Sequence, residues 1–431
     1  MFILVAGIGS LFLFQSCRKK DEIPPQVVWS SPVNASTFYF PSNIHVAASL
    51  SDDQKLVSAS LRIYHLNSIY TLVNQVIPVA GGASFQYDKI IPFDDIYAPS
   101  GTYAVELRVQ DEENETISFR TIVLYEAPRE LRQVLVTSTA GSVMQIDSLQ
   151  DNSFVTAFSQ PFHFRFGEVD SRNQFLHVAG LSYEGIMSLR LPELEIMTEI
   201  PTPFDLSDEL FTCSTFDDHL QRALFGGADG MVRAVDGNGA LTETFMVTSG
   251  SIPIAIAAQP DRLAVLCQSP GLFRIEIFNA KNGVKLQSLQ VVGGTPTNLV
   301  SHSNGADFWI LGYEGENSIG WHYITATNTT DQLSQPLIDG SIITGICTGN
   351  GSVYVASDNV GVRRFDTADL AWNSSESATY DAVDMAFDEV NDNIWVLENS
   401  QIHQLDGVSM VEEATFAVSS GAQRVLLVYN K

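Results

Sequence analysis

The chain has 431 residues, 45% hydrophobic and 17% charged, which excludes a disordered chain and a single small domain. Acidic residues outnumber basic ones 50 to 23, giving a net charge of -27. A surface of that sign repels nucleic-acid phosphates and anionic headgroups, so no nucleic-acid partner is expected, and neutral or cationic ligands are favoured.

Residues Phe2 to Phe14 are almost wholly apolar and end at Gln15-Ser16-Cys17. The run is too short for a bilayer-spanning helix and has the length of a signal-peptide core. A small residue ahead of a cysteine is what lipoprotein processing requires. Cys17 is therefore the expected lipidation site, and its acyl chains would hold the protein to a membrane. No Lys or Arg precedes the run, and Phe14 stands where Leu is usual, so a non-lipidated secretory signal is the alternative. Arg18-Lys19-Lys20-Asp21-Glu22 resembles the surface-export signal of Bacteroidetes lipoproteins; a solvated charged tether is the other reading. Residues 1–23 are read as signal peptide and tether. The expected location is the bacterial outer membrane, lipid-anchored and facing the periplasm or the cell surface.

After Pro24-Pro25 the period becomes two. Ile44, Val46 and Ala48 share one side of a run; Leu61 and Ile63 share another; Tyr103, Val105, Leu107 and Val109 point one way, with charges opposite. Such alternation between Asp-, Ser- and Gly-rich turns predicts an antiparallel β-sandwich over residues 24–127. Gly101-Thr102-Tyr103 through Asp111-Glu112-Glu113-Asn114 resembles the F strand and F–G turn of Ig-like surface modules. That resemblance implies an Ig-like fold, without the Cys–Trp–Cys framework of antibody domains. Asp52-Asp53 with Asp111, Glu112 and Asn114 could chelate calcium, but turn formation is the stronger reading of these residues.

From residue 128 the chain repeats. Apolar strands centre on residues 136, 178, 225, 265, 310, 355 and 396, at intervals of 42, 47, 40, 45, 45 and 41. Periods near 40–45 with short strands are the mark of a β-propeller. A strand of one template precedes the anchors: Ser251–Ala257, Gly294–Val300, Ser341–Ile346 and Asp381–Ala386. Gly421–Tyr429 fits the template but has no anchor after it, while the first anchor has no template strand before it. The C-terminal strand is thus expected to complete the first blade. Gly361–Asp366, Ser400–Asp406 and Gly230–Asp236 each end on an Asp suited to closing a turn. The repeats resemble seven-bladed propellers of the lactonase, quinoprotein-like and NHL-type group. The predicted fold class is all-β: an N-terminal Ig-like β-sandwich plus a seven-bladed β-propeller over residues 128–431, closed by the C-terminal strand.

Chemistry is sparse. Cys213, Cys267 and Cys347 sit in apolar strands and read as small buried hydrophobes. Gly226-Gly227-Ala228-Asp229-Gly230 reads as a hairpin turn rather than a phosphate loop, because no helix follows it. His302 and His322 are isolated in sequence. Asp147-Ser148-Leu149 and Asp366-Thr367-Ala368 resemble the Bacteroidetes O-glycosylation triplet and are expected on exposed turns. Propellers place ligands at one mouth of the central channel. The candidate mouth residues are His163, Arg165, Ser207 to Glu209, Thr297, Asn298, Thr344, Asp381, Asp384 and Gln423. No catalytic, cofactor-binding or metal residue is assigned, with calcium or another divalent ion the one cofactor considered. The expected function is a binding or scaffold module for a protein or glycan partner, in a monomer. The alternative is a propeller enzyme, a metal-dependent lactonase or lyase, working at the channel mouth.

Overall fold

The computed structural model describes residues 23–68, 70–202 and 209–431, with backbone alone at 373–375. Every regular element among them is a strand. Cys17 lies outside the described residues. The chain divides into two compact units between Pro128 and Arg129.

The first unit holds two sheets around one core. One has three strands, Gln26–Ser31, Ser42–Ser51 and Ser84–Phe93. The other has five, in the order Ser36–Tyr39, Glu115–Tyr125, Gly101–Gln110, Ser58–His65, Thr71–Ile77. The alternation seen in sequence decides which residues fill the core: Ile44, Val46, Leu61, Ile63, Tyr103, Val105, Leu107 and Val109 are all fully buried. The Tyr103 hydroxyl is kept satisfied inside by donating to the Pro99 carbonyl at 2.7 Å. In the turn before Glu115, the Asp111 carboxylate accepts the backbone N–H groups of Glu113 and Asn114, so Asp111 closes its own turn. Desolvation pushes its pKa up, but these hydrogen bonds and one from the Asn114 side chain together outweigh it and hold the carboxyl below its usual value.

The second unit is a β-propeller, a ring of seven four-stranded antiparallel sheets. Six are consecutive meanders whose innermost strands are Phe166–Asp170, Phe211–Asp217, Ile252–Gln259, Thr295–Ser301, Ile343–Gly349 and Asp384–Asp388. The other joins both ends of the unit: Ala422–Tyr429 pairs with Leu131–Ala140, placing Val425 opposite Val136. The C-terminal strand thereby becomes the innermost strand of the first sheet, in contact with Phe166–Asp170 on one side and Asp384–Asp388 on the other. Closure pairs the edge of Leu131–Ala140 that would otherwise lie open at the seam.

Each apolar anchor is the second strand of its sheet, buried on both faces, which is why these segments read as continuous apolar runs. Between sheets lie separate apolar clusters, each fed from two neighbours. Leu135, Ile146 and Leu426 meet Leu176, Val178 and Leu189, while Val134, Val136 and Val425 meet Trp395 and Leu397. Asp and Asn side chains close the recurrent turns: Asp170, Asp217 and Asp388 cap the turn after an innermost strand, and Asp236, Asn279, Asp366 and Asp406 the turn after a third strand. Gly226–Gly230 is a hairpin, with Gly230 at φ +78°. Cys213 and Cys267 are buried, and desolvation pushes the Cys213 thiol up to about 12.

The two glycosylation triplets differ. Ser148 is 1% exposed within the strand Val143–Gln150, so the first does not stand on an exposed turn. The second begins an exposed turn, where Asp366 and Ala368 face solvent, but Thr367 is 6% exposed and its hydroxyl donates inward to the Gly351 carbonyl.

The seam carries two expectations. Removing residues 421–431 strips the inner strand from the first sheet and should yield aggregated or protease-sensitive protein; a truncated chain that melts like the parent would contradict this. Leu426→Ala, which empties part of the cluster between the first two sheets, should cost about 2–5 kcal/mol in urea denaturation.

Candidate functional site

The innermost strands enter the ring with a shared irregularity. In five of them the register slips by one residue near the start, leaving Thr212, Ile254, Thr297, Thr344 and Gln423 outside the ladder. In the remaining two the doubled residue falls at the first pair. The Arg165 N–H bonds the carbonyl of Ala179, the partner of Phe166, and the Val383 N–H bonds that of Leu397, the partner of Asp384. Arg165 and Val383 therefore occupy the position held elsewhere by the bulged residue, and Phe166 and Asp384 follow them as Cys213 follows Thr212. A bulge bends the strand and re-aims a side chain. Here it recurs around the axis.

Five of these seven residues, Thr212, Ile254, Thr297, Thr344 and Val383, line an axial cavity of about 530 Å³ that follows the innermost strands. Beyond the bulge ring its wall includes Ser214, Asn298, Asp218, Thr348 and Arg424. Among the described residues Arg424 is the one cationic side chain in that wall, and it is not free. It donates to Glu168 Oε1 at 2.8 Å, and its Nη1 lies 3.6 Å from Asp384 Oδ1. Ser214 Oγ donates to Glu168 Oε1 at 2.5 Å, and the Val425 N–H donates to Asp384 Oδ2 at 2.8 Å. Three neighbouring sheets thus share one guanidinium. A second cavity of about 210 Å³ adjoins this group.

Burial sets the protonation behaviour here. Desolvation raises the carboxyl pKa of both Glu168 and Asp384, against the lowering pull of Arg424. For Arg424 desolvation works downward, but the carboxylates of Asp384 and Glu168 outweigh it and raise its pKa. Asp218 is also raised, by desolvation first, with Arg129 opposing.

The structure brings together Asn298, Thr344 and Asp384 of the expected mouth residues, with Thr297 beside them. The others lie outside the cavity wall. The His163 Nδ1 sits 2.7 Å from Glu184, whose carboxylate also accepts the His163 backbone N–H. Arg165 is paired with Glu209. Asp381 is exposed, with its N–H held by Glu398, and Gln423 turns to accept from Thr139. Ser207 lies outside the described residues. Glu184 and Glu398 do equivalent work, as does Asp358, which accepts from Ser341 Oγ and the Ile342 N–H. Each is an acid on the turn after the second strand that pins the backbone leading into the innermost strand.

Glu168 and Arg424 are the residues that sequence reasoning missed. The signal was present: each is a charge in a mostly apolar strand, a combination that needs a partner when buried. His302 and His322, isolated in sequence, stack at 4.9 Å between ring centroids, beside Trp309 and away from the cavity wall. Among the described residues no group of three or more His, Cys, Asp or Glu is placed to hold a metal ion.

No protein-family model matches the chain, and no curated protein does. Among solved structures, Sqt1 of Saccharomyces cerevisiae is similar at TM-score 0.48 and 13% identity, over 67% of this chain and 83% of that one. A quinonprotein alcohol dehydrogenase-like protein of Bacteroides thetaiotaomicron is similar at TM-score 0.47 and 9% identity, over 96% of this chain and all of that one. These are likenesses of fold and say nothing of what this chain binds.

Two measurements test the charge cluster. Arg424→Leu alone strands two buried carboxylates and should cost about 3–5 kcal/mol, much of it recovered when Glu168→Gln and Asp384→Asn are added. Because burial raises the Glu168 pKa, the folded state holds that proton more tightly than the unfolded chain. Its contribution to stability is full below the unfolded pKa and is lost as pH rises through the folded one. The stability difference between wild type and Glu168→Gln should therefore move in favour of wild type as pH falls from about 7 to about 4.5. A difference flat with pH would show that Glu168 is not so perturbed.

Proposed function

We propose that this chain is a lipid-anchored protein of the bacterial outer membrane, held through Cys17, whose seven-bladed propeller binds a protein or glycan partner. The observation that carries the binding reading is the axial cavity with its ring of re-aimed polar side chains. A cavity of about 530 Å³ falls inside the range of about 300–1,000 Å³ usual for ligand sites. The anchor reading rests on the apolar run ending at Ser16-Cys17. The Ig-like assignment of residues 24–127 is supported by Tyr103, whose bond to the Pro99 carbonyl resembles the tyrosine corner of such sandwiches.

An enzymatic reading draws on a specific feature, the raised carboxyl groups of Glu168 and Asp384 at the cavity wall, which suit a general acid. Both already serve Arg424, which favours a structural role for them and leaves binding ahead.

The anchor is tested by fractionating cells that express wild type and Cys17→Ser. Wild type should partition with membranes and Cys17→Ser should be released; equal membrane association would remove the lipid anchor. For the binding reading, a photo-crosslinking residue at Asp381 should trap a defined envelope component in cells. The same residue on the outermost strand, at Leu241, should not.

A further inference from the structure

We propose that the axial cavity is a saccharide site, taking a neutral sugar or the end of a neutral glycan chain through the bulge ring. This rests on the binding reading above and narrows it from two partner classes to one ligand chemistry.

Shape comes first. A protein partner is met by a broad surface, whereas a recess of about 530 Å³ sunk along the axis admits a small molecule or a chain end. Charge comes second. Arg424, the only cation in the wall among the described residues, is bracketed by Glu168 and Asp384, and the whole chain carries a net charge of -27. An anionic ligand would have to displace a buried carboxylate from that guanidinium, which leaves a charge uncompensated. A cation would find Glu168 and Asp384 already engaged, leaving Asp218 as the one further carboxylate among the described residues of the wall. A neutral ligand disturbs neither.

The ring itself supplies the third argument. Three of its members are Thr212, Thr297 and Thr344, and Asn298 follows Thr297 directly. The Thr212 and Thr297 hydroxyls donate to the Pro253 and Leu311 carbonyls and so offer acceptors to the cavity, the Thr344 hydroxyl donates and accepts, and the amide offers both functions at fixed separation, so this set can match the mixed donors and acceptors of a polyol. Ile254 and Val383 stand in the same ring, Phe166 also lines the cavity, and these supply an apolar surface for the C–H face of a pyranose. Asp384 and Arg424 add a carboxylate and a planar fork of donors, which can take adjacent hydroxyls as a pair without giving up their own contact. Because the bulges free these residues from the ladder, the polar groups face the cavity from a rigid ring rather than from mobile loops.

The test uses the full chain against an array of neutral mono- and oligosaccharides, followed by calorimetric titration of any hit. The paired variant Thr297→Val with Thr344→Val keeps side-chain volume and removes two hydroxyls. Trp372→Ala, on an outermost strand, serves as the control, and thermal melts establish that each variant is folded. At least one saccharide should bind, about tenfold more weakly to the paired variant and unchanged with Trp372→Ala. Absence of any binding on the array, or binding indifferent to Thr297 and Thr344, would overturn the proposal. The crosslink at Asp381 separates the two levels of failure. A trapped envelope protein with no sugar binding ends the saccharide site and keeps the binding module, whereas neither signal ends both.

Discussion

The pairing of Ala422–Tyr429 with Leu131–Ala140 is the constraint on which the second unit depends. Sheets in a ring are each stabilised only by their two neighbours, so removing one contact would leave two apolar faces open. Here the seam is held within a sheet, by main-chain hydrogen bonds between the two ends of the unit. Apolar packing then continues across it, from Leu426 and Val428 on one side and from Val425 on the other. The Arg424 cluster lies on the same strand and reaches both adjoining sheets through Glu168 and Asp384.

Much of this was legible in the sequence because it rests on local periodicity. Strands buried on both faces produce apolar runs such as Phe308–Leu311, and their spacing reports the repeat directly. The orphan strand at the C-terminus was recognisable because Gly421–Tyr429 repeats a pattern that the first sheet lacks. In the first unit, strict alternation assigned Tyr103 to Val109 to the core without further information.

The site was less legible, for a physical reason. Bulges do not announce themselves in composition. Pro253 and Pro296 precede bulged residues, as the missing N–H allows, yet Phe211 and Ile343 stand at the same place without any mark. Glu168 and Arg424 are 256 residues apart in the chain, and only ring closure makes them neighbours. His163, Arg165 and Glu209 fall where the chain approaches the innermost strands, but their side chains are absorbed by Glu184 and by each other. Position along the strand was readable, whereas the direction of each side chain was not.

Ring closure also bears on the order in which the molecule can be made. Val136 leaves the ribosome long before Val425, so the first sheet stays incomplete until the other sheets of the ring have been synthesised. Bringing such distant segments together adds little entropy beyond that of a shorter loop, since the cost grows only with the logarithm of length. The consequence is one of timing. A nascent chain can assemble its middle sheets in order, but it exposes an open strand edge at Leu131–Ala140 until Ala422–Tyr429 has emerged to cover it. The finished ring is secured by that one late strand.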